Sequence, residues 1–259
     1  LIALCNIRFK PEYRRDAFEA GLRRLGYAVT VAGDPKDERD MLILWNRQGA
    51  EQELARNWEL KGGTVVVCEN GYYGQDSEGR PNYAIAVGGH NGSGWFPVEQ
   101  DDRLSLLGIN FKPWQKGKHV LVCGQRGVGS TEMASPHGWE DRTTVQLRGM
   151  GLQVRIRRHP GRFPPKMTLD TELAGCEACF VWSSASGVKA LIEGVPVVYS
   201  APHWICGGAA TRWSDGLAEL KRDDQSRLDA FSRMAHAQWS VADIESGEPF
   251  ARILRKLAS

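Results

Sequence analysis

The sequence predicts an α/β protein made of two halves, each an open, mostly parallel sheet with helices packed on it, the strand ends of both facing a central cleft. Three observations predict it. Short apolar runs alternate with segments of helical periodicity along most of the chain. Hydrophobic residues make up 42% of the 259 residues and charged residues 25%, the balance of a globular protein long enough for one large domain or two of ordinary size. The segment Pro113–His119, rich in Lys and Gly, separates two such alternating series and sets the halves at 1–115 and 116–259.

The first half opens with Leu1–Cys5 as a strand. Glu12–Leu25 follows as a helix, with Phe18, Leu22 and Leu25 at helical spacing and Gly26 to stop it. Tyr27–Ala32 alternates as a strand, and Met41–Trp45 is apolar throughout, as a buried strand is. Glu51–Lys61 is a helix closed by Gly62-Gly63, and Thr64–Cys68 is the next strand. Glu69–Pro97 breaks this rhythm. Its glycines, asparagines and aromatic residues predict a long irregular insertion, ordered rather than disordered.

The second half reads as strand His119–Gly124, helix Thr143–Gly149, strand Leu152–Arg157, helix Leu169–Gly175, strand Ala178–Trp182, helix Gly187–Glu193 and strand Val195–Tyr199. Gly216–Ser259 is expected to be mostly helical, ending in an amphipathic helix over Pro249–Leu257.

Bulk properties exclude some classes. Thirty-three Lys and Arg against 31 Asp and Glu leave a net charge of +2, too balanced to announce a nucleic-acid binder, although a local basic groove is compatible with it. No apolar run has the length of a membrane span, so a cytoplasmic protein without membrane contact is expected. The six cysteines are scattered, and buried reduced thiols are expected. Cys176 and Cys179 have a metal-like spacing, but no second Cys/His pair completes a site, so they are read as small packing residues.

Three loops after strands carry the chemistry. Gly124-Gln125-Arg126-Gly127-Val128-Gly129-Ser130 offers backbone amides and a guanidinium to an anion, though it is neither a P-loop nor a dinucleotide fingerprint. His159-Pro160-Gly161 follows Arg155, Arg157 and Arg158 and presents an imidazole that can donate to a phosphate. Ser183-Ser184-Ala185-Ser186-Gly187 opens a helix, with more hydroxyls than one N-cap uses. Together they suit a nucleotide bearing phosphates, bound beyond the carboxyl ends of the strands.

His159-Pro160, Ser183-Ser184 and the run Ala190–Val198 resemble the nucleotide-binding half of GT-B glycosyltransferases, which are built from two Rossmann-like domains. The likeness is to the subset with His-Pro and Ser-Ser motifs: the polysialyl- and Kdo-transferases and the teichoic-acid polymerases. It covers roughly residues 120–202. It implies that His159, Ser183 and Ser184 contact the donor phosphate, with Gln125, Arg126, Gly127, Pro160, Gly161, Ser186 and Gly187 around them. Many of these enzymes hold the donor ribose with a Glu where this chain has Lys189; Glu193 or another group is left for that task, and Lys189 is expected to add charge near the phosphates. Phe96-Pro97, Lys112-Pro113-Trp114 and Gln125-Arg126-Gly127 resemble phage and prophage proteins read as DNA-base glycosyltransferases.

The resemblance implies transfer of a sugar from a nucleotide-sugar co-substrate to a hydroxyl, with no other cofactor. The expected acceptor is a hydroxymethylated pyrimidine in double-stranded phage DNA. The alternatives are a capsule-type polysaccharide acceptor, a non-catalytic nucleotide-binding module, and a nucleotide-sugar epimerase. No Asp-x-Asp motif is present, so Arg126, His159 and the serines are expected to stabilise the leaving phosphate without a metal. The base is expected from the first half. Glu69, directly after a strand, leads Asp76 and His90, with loop capping as its competing role.

Overall fold

The computed structural model describes residues 1–161, 166–215 and 219–259. In chain order the elements are β1 (Ile2–Asn6), α1 (Arg15–Arg24), β2 (Ala28–Thr30), β3 (Met41–Trp45), α2 (Ala50–Leu60), β4 (Thr64–Gln75), β5 (Pro81–Val87), β6 (His119–Cys123), α3 (Trp139–Gly149), β7 (Val154–Arg157), α4 (Leu169–Leu173), β8 (Cys176–Val181), α5 (Ala185–Ile192), β9 (Val197–Tyr199), β10 (Thr211–Arg212), α6 (Asp224–Ala235), β11 (Gln238–Trp239), α7 (Val241–Ser246) and α8 (Glu248–Leu257). Of the region expected to be helical at the end of the chain, residues 216–218 lie outside the described residues. No described helix is long and apolar enough to cross a membrane.

The chain forms two compact units. The first holds Leu1–Leu107, Gly129–Thr131 and Arg233–Ser259; the second holds Gly108–Val128 and Glu132–Ser232. The sequence-based division placed everything after residue 115 in the second half. The last segment differs because β11 pairs antiparallel with β5, while Val241 and Ile244 of α7 and Phe250 and Ile253 of α8 join the core that Phe18 and Leu22 of α1 build.

The first unit is a six-stranded sheet in the order β11-β5-β4-β3-β1-β2. β2, β1, β3 and β4 run parallel, with Ala3 opposite Met41 and Trp45 opposite Cys68. Strand alternation divides the core between two faces. Ala3, Cys5, Met41, Ile43, Val66 and Cys68 face α1, α7 and α8. Leu4, Leu42, Leu44, Val65 and Val67 face Ala55 and Trp58 of α2. The sheet's direction of winding reverses between β1 and β3.

The second unit is an all-parallel sheet in the order β10-β9-β8-β6-β7. Val120, Val122, Ala178, Phe180 and Val198 pack with Trp139 and Leu147 of α3 on one face. Its winding reverses between β6 and β8, the place where open α/β sheets bind ligands at the strands' carboxyl ends.

The expected irregular insertion is in part a hairpin. β4 does not stop at Cys68 but continues to Gln75, and β5 returns against it, with an irregular register between Asn70 and Gln75. Gly88–Gly94 is an ordered loop closed by the Val87–Trp95 bridge. All six cysteines are free and buried, and burial pushes the Cys176 thiol up to about 12.

Candidate functional site

In the second unit, β6, β7 and β8 deliver the three loops to one edge of the sheet. Gln125 follows β6, and its side-chain Oε1 accepts the backbone N–H of Ser183 at 2.6 Å. This bond joins the two loops that flank the reversal between β6 and β8. Ser184 caps α5, its Oγ accepting the backbone N–H of Ser186 at 3.1 Å. Trp182 is fixed just before it by an indole N–H bond to the Met133 carbonyl at 2.8 Å and an edge contact with Trp139. Arg126 is exposed, and Gly127 beside it has left-handed backbone at φ 65°.

His159 follows β7. The backbone N–H of Gly161, across Pro160, donates to His159 Nδ1 at 3.0 Å. Burial and then the positive charge of Arg126 hold the His159 imidazole below its ordinary pKa. Arg158 ties this loop to α3, with 2.9 Å to Asp141 and 3.6 Å to Glu140. Sequence reading missed Glu140. Its carboxylate lies 3.4 Å from where a side-chain carbon on Gly124 would stand, and the His159 backbone nitrogen is 3.6 Å from the same point. No local pattern signals this, because α3 and the β7 loop meet only in the folded chain.

Three of the expected donor residues have other engagements. A Cβ on Gly187 would lie 2.7 Å from the Trp204 ring, so glycine is there for close packing of α5. Lys189 pairs with Asp170 at 3.1 Å and with Glu193 at 2.9 Å, and Glu193 also binds Lys112. Glu193 sits at the opposite end of α5 from Ser184. Lys112 and Lys189 together outweigh burial and lower the Glu193 carboxyl. Lys189, one turn after Ser186 on α5, and Glu193 at the far end thus form an ion-pair cluster with Lys112 and Asp170.

In the first unit, Glu69 lies one residue past the last parallel pair of β3 and β4, at the carboxyl edge of the parallel strands, although inside β4 rather than at the start of a loop. Its Oε1 is 3.7 Å from His90 Nε2. The Glu69 side chain is 24% exposed and that of His90 only 7%, so this pair is largely shielded from water. Burial raises the Glu69 carboxyl above its ordinary range, with His90 pulling weakly the other way. Strained backbone lies nearby: Asn46, the residue after β3, and Asn91, which follows His90, both have left-handed φ, 63° and 51°.

Asp76 is placed elsewhere. It forms the β4–β5 turn, accepting the backbone N–H groups of Glu78 and Arg80 and pairing with the Arg80 guanidinium at 2.7 Å. Burial pushes its carboxyl up, but these bonds outweigh it and leave the carboxyl lowered. An acid lowered in this way is a poor base. Asp76→Asn is therefore expected to leave turnover unchanged while lowering the melting temperature. A loss of turnover like that of a Glu69 variant would return Asp76 to the chemistry.

No protein-family model and no curated protein sequence matches the chain. Solved structures do. The KpsC beta Kdo 2,7 transferase of Thermosulfurimonas dismutans aligns over 99% of this chain and 99% of its own, at 12% identity and a TM-score of 0.55. The KpsC beta Kdo 2,4 transferase of the same organism covers 91% of this chain and 89% of its own, at 12% identity and a TM-score of 0.49. At this identity the likeness is one of fold, and the paired α/β units have the fold of GT-B glycosyltransferases.

Proposed function

We propose that the chain is a glycosyltransferase that moves a sugar from a nucleotide-sugar donor to an acceptor hydroxyl. The observation that carries this reading is the edge of the second unit. There the Gln125–Ser183 bond holds the post-β6 loop and the hydroxyl loop together at the sheet's reversal, with His159 delivered by the next strand. A donor nucleotide phosphate bound there meets the Arg126 guanidinium, the His159 imidazole, and Ser183, Ser184 and Ser186 at the start of α5. Positive charge and fixed dipoles aimed at a leaving phosphate stabilise the charge that grows on it. Glu69 in the first unit takes the acceptor proton, because its shielded carboxyl has the raised basicity a general base uses.

The acceptor is the finer question. The alternative read from the sequence is a surface-polysaccharide acceptor with a CMP- or UDP-activated donor, and it is supported by a solved neighbour that is a Kdo transferase. The hydroxymethylated pyrimidine expected from the sequence makes a separate claim, that the protein is retained on double-stranded DNA and released by salt. The test is a thermal-shift screen of CMP- and UDP-activated sugars, Kdo among them. A binder of the folded state raises the melting temperature. One or more donors are expected to do so and then to release nucleotide when an acceptor is added. A full panel with neither shift nor release would sink the transferase reading.

A further inference from the structure

We propose that the Gly161 backbone N–H locks His159 in the neutral tautomer protonated on Nε2, so that His159 serves the donor phosphate as a fixed Nε2–H hydrogen-bond donor and not as an imidazolium. The proposal rests on the nucleotide-donor reading above and assigns Gly161 a positioning role in it.

The argument begins with what a ring nitrogen can do. A neutral imidazole has one N–H and one bare nitrogen, and an imidazolium has two N–H groups and nothing that accepts. The Gly161 N–H points at His159 Nδ1 across 3.0 Å. Nδ1 is therefore the bare nitrogen, and the proton is on Nε2. Adding a second proton would set two donors against each other and break the turn that Pro160 and the left-handed Gly161, at φ 57°, close around the ring.

The charged groups around the ring act in the same direction. Arg126, from the loop after β6, lowers the imidazole's affinity for a proton, after burial itself. The acids Glu140 and Asp141 of α3 are engaged by Arg158, the residue before the imidazole. Among the described residues, Arg126 is the charged group shown to act on the ring. The arginine carries the charge toward the phosphate, and the imidazole supplies direction through one N–H.

The tautomer can be read without any ligand. Histidine-labelled protein gives nitrogen chemical shifts for its six imidazoles, and the signal that disappears in His159→Gln belongs to His159. The expected result is protonated Nε2 with bare Nδ1, and a titration midpoint below that of a free imidazole. A proton on Nδ1, or a midpoint at or above the ordinary value, would overturn the lock.

The role is tested separately with CMP and UDP as probes in calorimetry at neutral pH. Glutamine places an N–H near the position of Nε2, and asparagine places one near Nδ1. His159→Gln is expected to keep most of the affinity, whereas His159→Asn and His159→Ala lose roughly tenfold or more, the value of one hydrogen bond to a charged group. Equal losses in all three variants, or retention by Asn alone, would overturn the Nε2–H role. If neither nucleotide binds the parent protein, the nucleotide reading and the phosphate role fall together, and the nitrogen shifts still decide the lock.

Discussion

Glu69→Gln is expected to abolish sugar transfer, by about 100- to 10,000-fold, the usual contribution of a positioned general base. Glutamine keeps the shape and the polarity but cannot take a proton. The proposed donor site is in the second unit, so donor binding should be unchanged in the same protein, and calorimetry with the nucleotide separates lost chemistry from lost fold. In the parent protein the acid limb of any transfer kcat/KM should lie above the ordinary glutamate range, because burial raises this carboxyl. Stability is expected to move the other way. A carboxyl whose folded pKa exceeds its unfolded value lends stability below the unfolded pKa, and that stability is lost as pH rises through the folded pKa. At neutral pH the parent chain carries that loss and the Gln variant does not, so the variant should melt higher. A variant that melts lower and also loses donor binding would point to a structural role for Glu69. Unchanged turnover would remove it from the base role.

Gly21→Ala is expected to cost at least about 3 kcal/mol, the upper range for forcing atoms into a packed core. Gly21 lies inside α1, where glycine is otherwise a poor helix residue. A Cβ there would stand 2.0 Å from the Ile244 carbonyl oxygen and 3.1 Å from the Gly247 Cα. Both are backbone atoms of the α7–α8 corner, so no side-chain rotation relieves the overlap. The corner must move off α1, taking Val241, Ile244 and Phe250 from the core. Denaturant melting should show a lower midpoint. A midpoint equal to that of the parent would mean that α7 does not press on α1 as described.

The parts of the fold that were legible in sequence are those whose signal is local. Met41–Trp45 is read to the residue because five apolar positions in a row admit only a buried strand between the flanking polar segments. The end of β8 and the start of α5 are legible from an apolar run followed by a serine cap. The β4–β5 hairpin is not. Asn70-Gly71 and Gly74 look like turn residues, and here they sit inside an irregular stretch of a strand that continues. β11 is only Gln238–Trp239, and its pairing with β5 lies far away in the chain, beyond any window of periodicity.

The site divides in the same way. The positions of His159, Ser184 and Arg126 are legible because strand ends and a cap announce them, whereas Glu69 sits inside β4 and not after a strand end. What tertiary structure adds is which neighbours each one has. Glu69 and His90 were alternatives in the sequence and are neighbours in the fold. Gln125, expected at the donor, is a strut to Ser183. Lys189 and Glu193, four apart on one helix, satisfy each other in the spacing at which such pairs form.

The placement of the last strand has a consequence for biosynthesis. On a ribosome, Leu1–Leu107 emerges with the outer edge of β5 unpaired and one sheet face covered by α1 alone, because β11, α7 and α8 belong to Arg233–Ser259. At ~5–20 residues per second the wait for those residues is on the order of ten seconds, long compared with the microseconds in which a hairpin forms. During that interval the nascent chain displays an open β edge, a template for pairing with another chain. The first unit to be translated is therefore not the first to be finished, and its solubility while incomplete depends on whatever shields that edge.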